Sequence, residues 1–216
     1  PKWMKGIVGI VASRIVEEFY RPTIILCDDN NMMKGSGRSI REFDLYAGLQ
    51  KTAHVLAGFG GHKLAAGVRL EPNPLERFRE AFEQVVADEL GEQPLTPALL
   101  LECELDFQQA SDSAFLQELE LMQPFGAGNA EPVFASPELT VVDRSPLGYS
   151  GDHVRLRLKD SASGITLMAK GWNMATAFPP SSVGSRIRVA YTPRLDYYRG
   201  VASIDVGIKD WQPVAD

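Results

Sequence analysis

Histidine and cysteine are scarce in this chain, and the scarcity leaves little room for metal chemistry of its own. Only His54, His62 and His153 occur, none with a neighbour at ligand-like spacing; a metal centre that cleaves phosphodiesters draws on clustered carboxylates and imidazoles. The two cysteines, Cys27 and Cys103, stand far apart in unlike surroundings. Without the paired spacing of a zinc site or a disulfide framework, both read as small buried hydrophobes. Long apolar runs are missing too: none approaches the roughly 18 residues of a membrane span, and no charged-then-apolar leader opens the chain. The expectation is a soluble, cytoplasmic protein. The chain begins at Pro1-Lys2-Trp3 without an initiator methionine, as expected of a piece excised from a longer protein.

Basic residues are absent from 91–137, which carry 8 acidic ones, while 1–90 carry 12 basic and 12 acidic and 138–216 carry 10 and 8. The net charge of −6 therefore resides in the middle segment. The two flanks remain free to present local basic surface to a polyanion.

With 216 residues and 44% hydrophobic content, the chain can bury two modest cores. Apolar residues at 8, 11, 12, 15, 16 and 19 mark one face of a helix, which Arg21-Pro22 ends. Residues 23–27 read as a buried strand closed by an Asp-Asp-Asn-Asn turn, and 33–40 as its partner. Asp44 caps a second helix through about 56, residues 64–70 form a strand, and Asn73-Pro74 open a third helix over 75–90. Residues 1–90 are thus an α/β domain. Two prolines and a glycine mark 91–97 as a linker. An acidic connector with a strand at 99–107 and a short helix at 114–122 spans the rest of 91–132.

The third region, 133–216, is all β, with strands at 133–142, 154–159, 165–172, 187–195 and 201–211 and a brief helical stretch at 174–178. Five strands and one short helix fit a small antiparallel barrel, and the OB-fold is the commonest such design that binds single strands. Val154-Arg155-Leu156-Arg157-Leu158-Lys159 alternates most clearly, with apolar residues in and cations out.

The stretch richest in chemistry is 58–67, where four glycines accompany His62 and Lys63. Glycines bring bare N–H groups against an anion, and the imidazole and ammonium add donors. A helix C-cap followed by a turn is the alternative. In the strand over 33–40, period-2 alternation puts Ser36 and Arg38 on one face, a hydroxyl and a guanidinium suited to a phosphate. A solvated edge strand with a surface arginine is the plainer reading. In the β region, Lys170, Trp172, Arg194, Tyr197, Tyr198 and Arg199 combine aromatic faces with cations, as a surface tracking a single strand does. A core tryptophan and an ordinary hairpin tip are the alternatives there.

Four segments, taken together and in order, resemble the C-terminal half of the RecJ family of single-strand-specific DNA exonucleases, within the DHH phosphoesterase superfamily. They are Gly6-Ile7-Val8-Gly9-Ile10-Val11-Ala12-Ser13-Arg14, Lys34-Gly35-Ser36-Gly37-Arg38-Ser39-Ile40, the glycine stretch at 58–67, and Pro124-Phe125-Gly126-Ala127-Gly128-Asn129-Ala130-Glu131-Pro132. The resemblance implies a DHHA1 substrate-binding domain at 1–90 followed by an OB-fold. It also implies that Ser36, Arg38, Ser39, Gly60, Gly61 and His62 hold phosphates of single-stranded DNA. The superfamily's Asp-His-His tripeptide is absent from the sequence; Asp152-His153-Val154 is the nearest string. The expectation is therefore no catalytic or metal-binding residue here, with Mn or Mg bound by a catalytic domain upstream, and a chain that binds single strands without cleaving them.

A single-strand-binding protein docked on the acidic connector is a further partner the resemblance leaves open. One departure stands out: Trp3-Met4-Lys5-Gly6 replaces the family's Trp-His-x-Gly, putting a thioether where an imidazole is usual. It keeps a non-enzymatic DNA-binding relative open as an alternative. An oligonucleotide or cyclic-dinucleotide phosphodiesterase of the same superfamily is the other, although such enzymes typically lack a trailing barrel.

Overall fold

The computed structural model describes residues 6–29, 31–91, 95–126, 128–198 and 201–214. The chain divides into two compact units, at Ala98 and Leu99. In the first, helix α1 (Val8–Phe19) ends where Tyr20 turns left-handed, its N–H donating to Val16 O at 2.9 Å. Strands β1 (Thr23–Asp29) and β2 (Met32–Arg38) form a hairpin, followed by helix α2 (Leu45–Lys51), capped by the Asp44 carboxylate on the N–H of Ala47. Strands β3 (Gly58–His62) and β4 (Ala65–Leu70) and helix α3 (Leu75–Leu90) complete the unit.

The four strands lie in the order β1-β2-β4-β3, every ladder antiparallel. One face is core: Ala66, Val68 and Leu70 pack with Leu45 and Leu49 of α2 and Phe78 and Phe82 of α3. Fully burying one such side chain is worth about 1.5–3 kcal/mol, so the periodic apolar positions suffice to fix which faces meet. On the opposite face α1 packs over β1 and β2.

Several sequence expectations shift here. The second helix stops at Lys51 and a 3-10 turn, Ala53–Val55, replaces its last turn, because the buried Thr52 hydroxyl bonds back to Leu49 O. The glycine stretch is neither cap nor loop but largely a strand, β3, ending in a two-residue connection to β4. The third helix is preceded by Pro74 at its cap position. Residues 92–94 of the expected linker lie outside the described residues.

Near the start of the second unit, residues 102–105 run beside residues 133–135, through bonds such as Leu105 N to Ala135 O and Ala135 N to Cys103 O, both about 3.0 Å. A strand over 99–107 is not formed as such; only an isolated bridge at Glu104 remains, and Phe107 already starts helix α4 (Phe107–Ala110), which is opened by an Asp106–Gln109 capping box. Helix α5 (Ser113–Leu121) follows. The segment expected as a separate connector thus contributes Leu105, Phe107 and Ala110 to the core of the second unit.

The expected strand over 133–142 is split into β5 (Phe134–Ala135) and β6 (Leu139–Leu147). Then come β7 (His153–Asp160), β8 (Thr166–Gly171), β9 (Arg186–Tyr198) and β10 (Val201–Pro213). Residues 174–178 form turns, and the short helix is a 3-10 turn at Pro180–Ser182. The pairings run β6-β7-β8-β10-β9 and return to β6, a closed ring. One ladder departs from the expected antiparallel pattern: β8 and β10 run parallel, Val206 beside Ala169. Inside the ring, Val154, Leu156 and Leu158 alternate with outward Arg155, Arg157 and Lys159. The Tyr191 hydroxyl donates to Leu105 O at 2.8 Å and ties ring to entry segment; burial pushes this phenol well above its usual pKa.

Candidate nucleic-acid interface

Register decides what the first sheet brings together. Gly60 pairs with Gly67 and Gly67 with Ser36; His62 pairs with Ala65 and Ala65 with Arg38. Directly opposed residues share a face. Two rows therefore cross three strands, one reading Gly60, Gly67, Ser36 and the next His62, Ala65, Arg38. This is the α1 side of the sheet, since a Cβ at Gly9 would lie 2.9 Å from Arg38 Nη2 and 3.2 Å from Ser36 Oγ. Residues 24 positions apart in sequence share each row, on a shelf floored by glycine and alanine.

The arginine is held in place. Its Nη1 donates to Ser36 Oγ and to Gly37 O, each at 2.8 Å. That fixes the guanidinium while the described residues make no hydrogen bond to Nε or Nη2, the edge geometry that suits a phosphate. Ser36 accepts from Arg38, so its hydroxyl proton remains available to a ligand. His62 is exposed at the end of β3, and its imidazole makes no hydrogen bond or ion pair among the described residues.

The two glycines differ. A Cβ at Gly60 would meet nothing within 4 Å, so nothing in the chain itself requires glycine there. Gly61, at φ +151°, has Ala65 O only 2.3 Å from a would-be Cβ and is fixed by the fold. Ser39 departs from the other donors: its Oγ donates to Phe43 O at 2.9 Å and its N–H to Leu64 O at 3.0 Å, so it anchors the β3–β4 connection. Arg14, exposed on α1, pairs with Glu17 at 3.2 Å.

In the second unit, Trp172 is 57% exposed, which removes the core alternative. Its ring meets His153 edge-on at 4.8 Å, and His153 Nδ1 accepts from the N–H of Asn173 at 3.0 Å. Lys170 pairs with Asp205 at 2.9 Å, and Arg194 Nε with Glu131 at 2.6 Å. Tyr197 is exposed, but it pairs with Ala202, whereas Gly171, beside Trp172, pairs with Ile208. Six residues of strand, about 20 Å, separate the two aromatics, so they are not one stacking surface. The Tyr198 side chain and Arg199 lie outside the described residues, as does Met4.

What the motif reading missed is on β7. Arg155, Arg157 and Lys159 are exposed and without ion pairs among the described residues, and Lys170 and Met168 of β8 stand opposite Arg155 and Arg157. The alternation of 154–159 announced those cations, but alternation alone describes any half-solvated strand equally well.

Two domain families match the chain, the DHHA1 domain over residues 1–88 and the RecJ OB domain over 101–210. The chain belongs to the RecJ family. Among its relatives is the single-stranded-DNA-specific exonuclease RecJ of Haemophilus influenzae, 29% identical over 99% of this chain and 38% of that protein. The protein of the same description from Bacillus subtilis is 28% identical over 96% and 26%. This RecJ-family chain thus spans roughly a quarter to two fifths of the length of these relatives. A crystal structure of RecJ in complex with Mn2+ from Thermus thermophilus superposes with a TM-score of 0.76 at 26% identity, covering 100% of this chain and 30% of that one. A Mg2+ complex of the same protein gives 0.75 at 27%.

The RecJ-family glycine-histidine segment is thus the β3 edge of a sheet. Among the described residues, no three His, Cys, Asp or Glu gather as metal donors. The shelf offers guanidinium, imidazole and hydroxyl, a donor set for an anion and not for a cation; the glycine N–H groups, expected as bare donors, lie in strands, in the plane of the sheet. The fourth family segment is built as a clasp: Asn129 Nδ2 donates to Met122 O and Pro124 O, while Glu131 bonds Arg194 and Lys209.

Proposed function

We propose that this chain is the substrate-holding part of a RecJ-like enzyme that removes nucleotides from single-stranded DNA in the 5′ to 3′ direction, in the cytoplasm, during repair and recombination. Mn or Mg chemistry belongs, in this reading, to a catalytic part beyond these residues, and this chain by itself binds without cleaving.

The observation that carries the reading is the Ser36–Arg38 pair, locked by a 2.8 Å bond and set in register with Gly60, Gly67 and His62. A phosphate on that floor meets nothing larger than the Ala65 methyl from below, takes two charge-assisted bonds from the arginine edge, and finds the Ser36 hydroxyl and the His62 imidazole nearby. Gly60 opens the floor, Gly61 lets the end of β3 pass close to β4, and Ser39 keeps the connection next to it in place. The second unit, read as a small OB-type barrel, continues the grip. Its β7–β8 face presents Arg155, Arg157, Lys159 and Lys170 to the backbone, with Trp172 at one end to stack a base. Arg194 and Tyr197 lie along the β9–β10 hairpin as a secondary contact. That closed ring weighs against a phosphodiesterase of small nucleotides.

The test is fluorescence anisotropy of a labelled single strand titrated with the chain in metal-free buffer. Arg38→Ala combined with His62→Ala is expected to weaken binding at least about tenfold, the worth of lost charge-assisted bonds. Binding untouched by the pair of substitutions would remove the shelf from the substrate path.

A further inference from the structure

The face that carries Ser36 and Arg38 has a third row. Lys34 pairs with Arg69 and Arg69 with Gly58, two residues further along each strand, so this row faces the same way as the other two. A shallow groove of about 400 Å³ runs here, lined by Lys34, Gly58, Gly60, Gly67 and Arg69. The Arg69 guanidinium lies across Gly58, with Nη2 3.1 Å from where a Cβ would be, so a side chain at 58 would displace it. The Arg69 side chain is exposed and makes neither hydrogen bond nor ion pair among the described residues; its backbone carbonyl accepts from Ala57 N–H at 2.9 Å. Lys34 is engaged by the buried Asp29 carboxylate at 2.5 Å. The free cation of the row is the arginine.

Arg69 and Arg38 do not converge on one point. The Arg38 guanidinium turns to Ser36 beneath Gly9 of α1, whereas that of Arg69 turns the other way, over the outer strand β3. Ser36 on β2 and Gly58 on β3, on which the two guanidiniums rest, lie two strands and two residues apart, about 12 Å, with Gly60 and Gly67 in the interval. Two guanidiniums so placed cannot share the oxygens of one phosphate; they suit two phosphates of one backbone.

We infer that Arg69, laid over Gly58, is a second phosphate subsite of the shelf, so that the site takes a single strand by two phosphates and discriminates an oligonucleotide from a mononucleotide. The inference rests on the substrate-holding reading above and deepens it. An extended strand enters across the open β4–β3 half of the sheet, one phosphate at Arg38 and His62 and another at Arg69. Between them the backbone passes over glycines that offer no side chain to obstruct it.

Calorimetric titration of the chain with 5′-phosphorylated thymidine mononucleotide and dinucleotide tests this, using Arg69→Ala, Arg69→Lys and Arg38→Ala, with a thermal melt of each. Because Arg69 is exposed and unpartnered, Arg69→Ala is expected to melt as the parent does. It weakens the dinucleotide about tenfold, leaves the mononucleotide unchanged, and is partly restored by lysine. Arg38→Ala weakens both ligands. If Arg69→Ala spares the dinucleotide, or weakens both ligands alike while Arg38→Ala still matters, the second subsite is wrong and the shelf stands. If Arg38→Ala also leaves both ligands unaffected, the shelf and the subsite fall together.

Discussion

Gly60 and Gly61 are adjacent and read alike in sequence, yet they answer to different constraints. Gly61 combines a positive φ with a Cβ position 2.3 Å from Ala65 O, while Gly60 opens onto empty space. Gly61→Ala is therefore expected to cost about 1–3 kcal/mol, as overpacking against backbone does. Gly60→Ala keeps or slightly raises the melting temperature, since its backbone is not left-handed and the unfolded chain loses freedom. Gly60→Leu, by contrast, leaves the fold intact and impairs single-strand binding by roofing the shelf. Parallel melts and titrations of the three variants separate these outcomes; equal loss of stability at both positions would contradict the assignment. The string alone offered four glycines with no ranking. Ser36 with Arg38 was legible, because two positions on one strand share a face whatever the fold. The closeness of His62 to them was not, because β4 had to insert between their strands. Ser39 looked like a third donor, and only its bond to Phe43 O shows where its hydroxyl is directed.

Among the elements, the ones with strong periodicity were the most readable. Helices α1 and α3 and strand β7 lie within a residue of their expected bounds, since an apolar stripe must be buried and a proline or glycine marks its end. Strand β3 was not legible as a strand: Gly58, Gly60 and Gly61 carry no β propensity, and it forms because β4 supplies the ladder and Leu45 N and Ser39 N hold the Lys63 and Leu64 carbonyls of the connection. The parallel β8–β10 ladder was likewise invisible, being a property of ring closure and not of either strand. At the end of β7, Asp160 shows how one side chain organises an element boundary. Its carboxylate accepts from the N–H groups of Ala162 and Phe107 and from the hydroxyl of Ser163, the last at 2.7 Å. Burial by itself would raise its pKa; the bonds from Ser163, Ala162 and Phe107 outweigh it and hold the group below the usual carboxylate value. A lowered folded pKa contributes stability that is present above the unfolded value and lost as pH falls through the folded one. The second unit is accordingly expected to lose stability below about pH 4. Asp160→Asn, which turns an amide toward those donors and takes up no proton, costs about 1–3 kcal/mol at neutral pH and flattens the acid limb. Melts of both proteins between about pH 3 and pH 7 decide it; an acid limb unchanged in the variant would show that other carboxylates dominate.

At the scale of the whole chain, the sum of charges misleads. A net charge of −6 arises from the middle segment, while the surfaces assigned to DNA are local and basic: Arg38 and Arg69 on the shelf, and Arg155, Arg157 and Lys159 on β7. Each unit has its own core, so each surface is built without help from the other. If both surfaces grip the phosphates of a single strand, as proposed, the binding constant falls steeply with salt. Each phosphate contact to a single strand contributes about −0.7 to the slope of log K against log salt, so five cations give a slope of about −3.5. The measurement is that slope for an oligothymidine long enough to reach both units, with the parent chain, Arg38→Ala, and Arg155→Ala combined with Arg157→Ala. A steep slope is expected, shallower by about 0.7 with the first variant and by about 1.4 with the second. A flat slope in the parent, or a steep one that none of these substitutions changes, would contradict the two-surface grip.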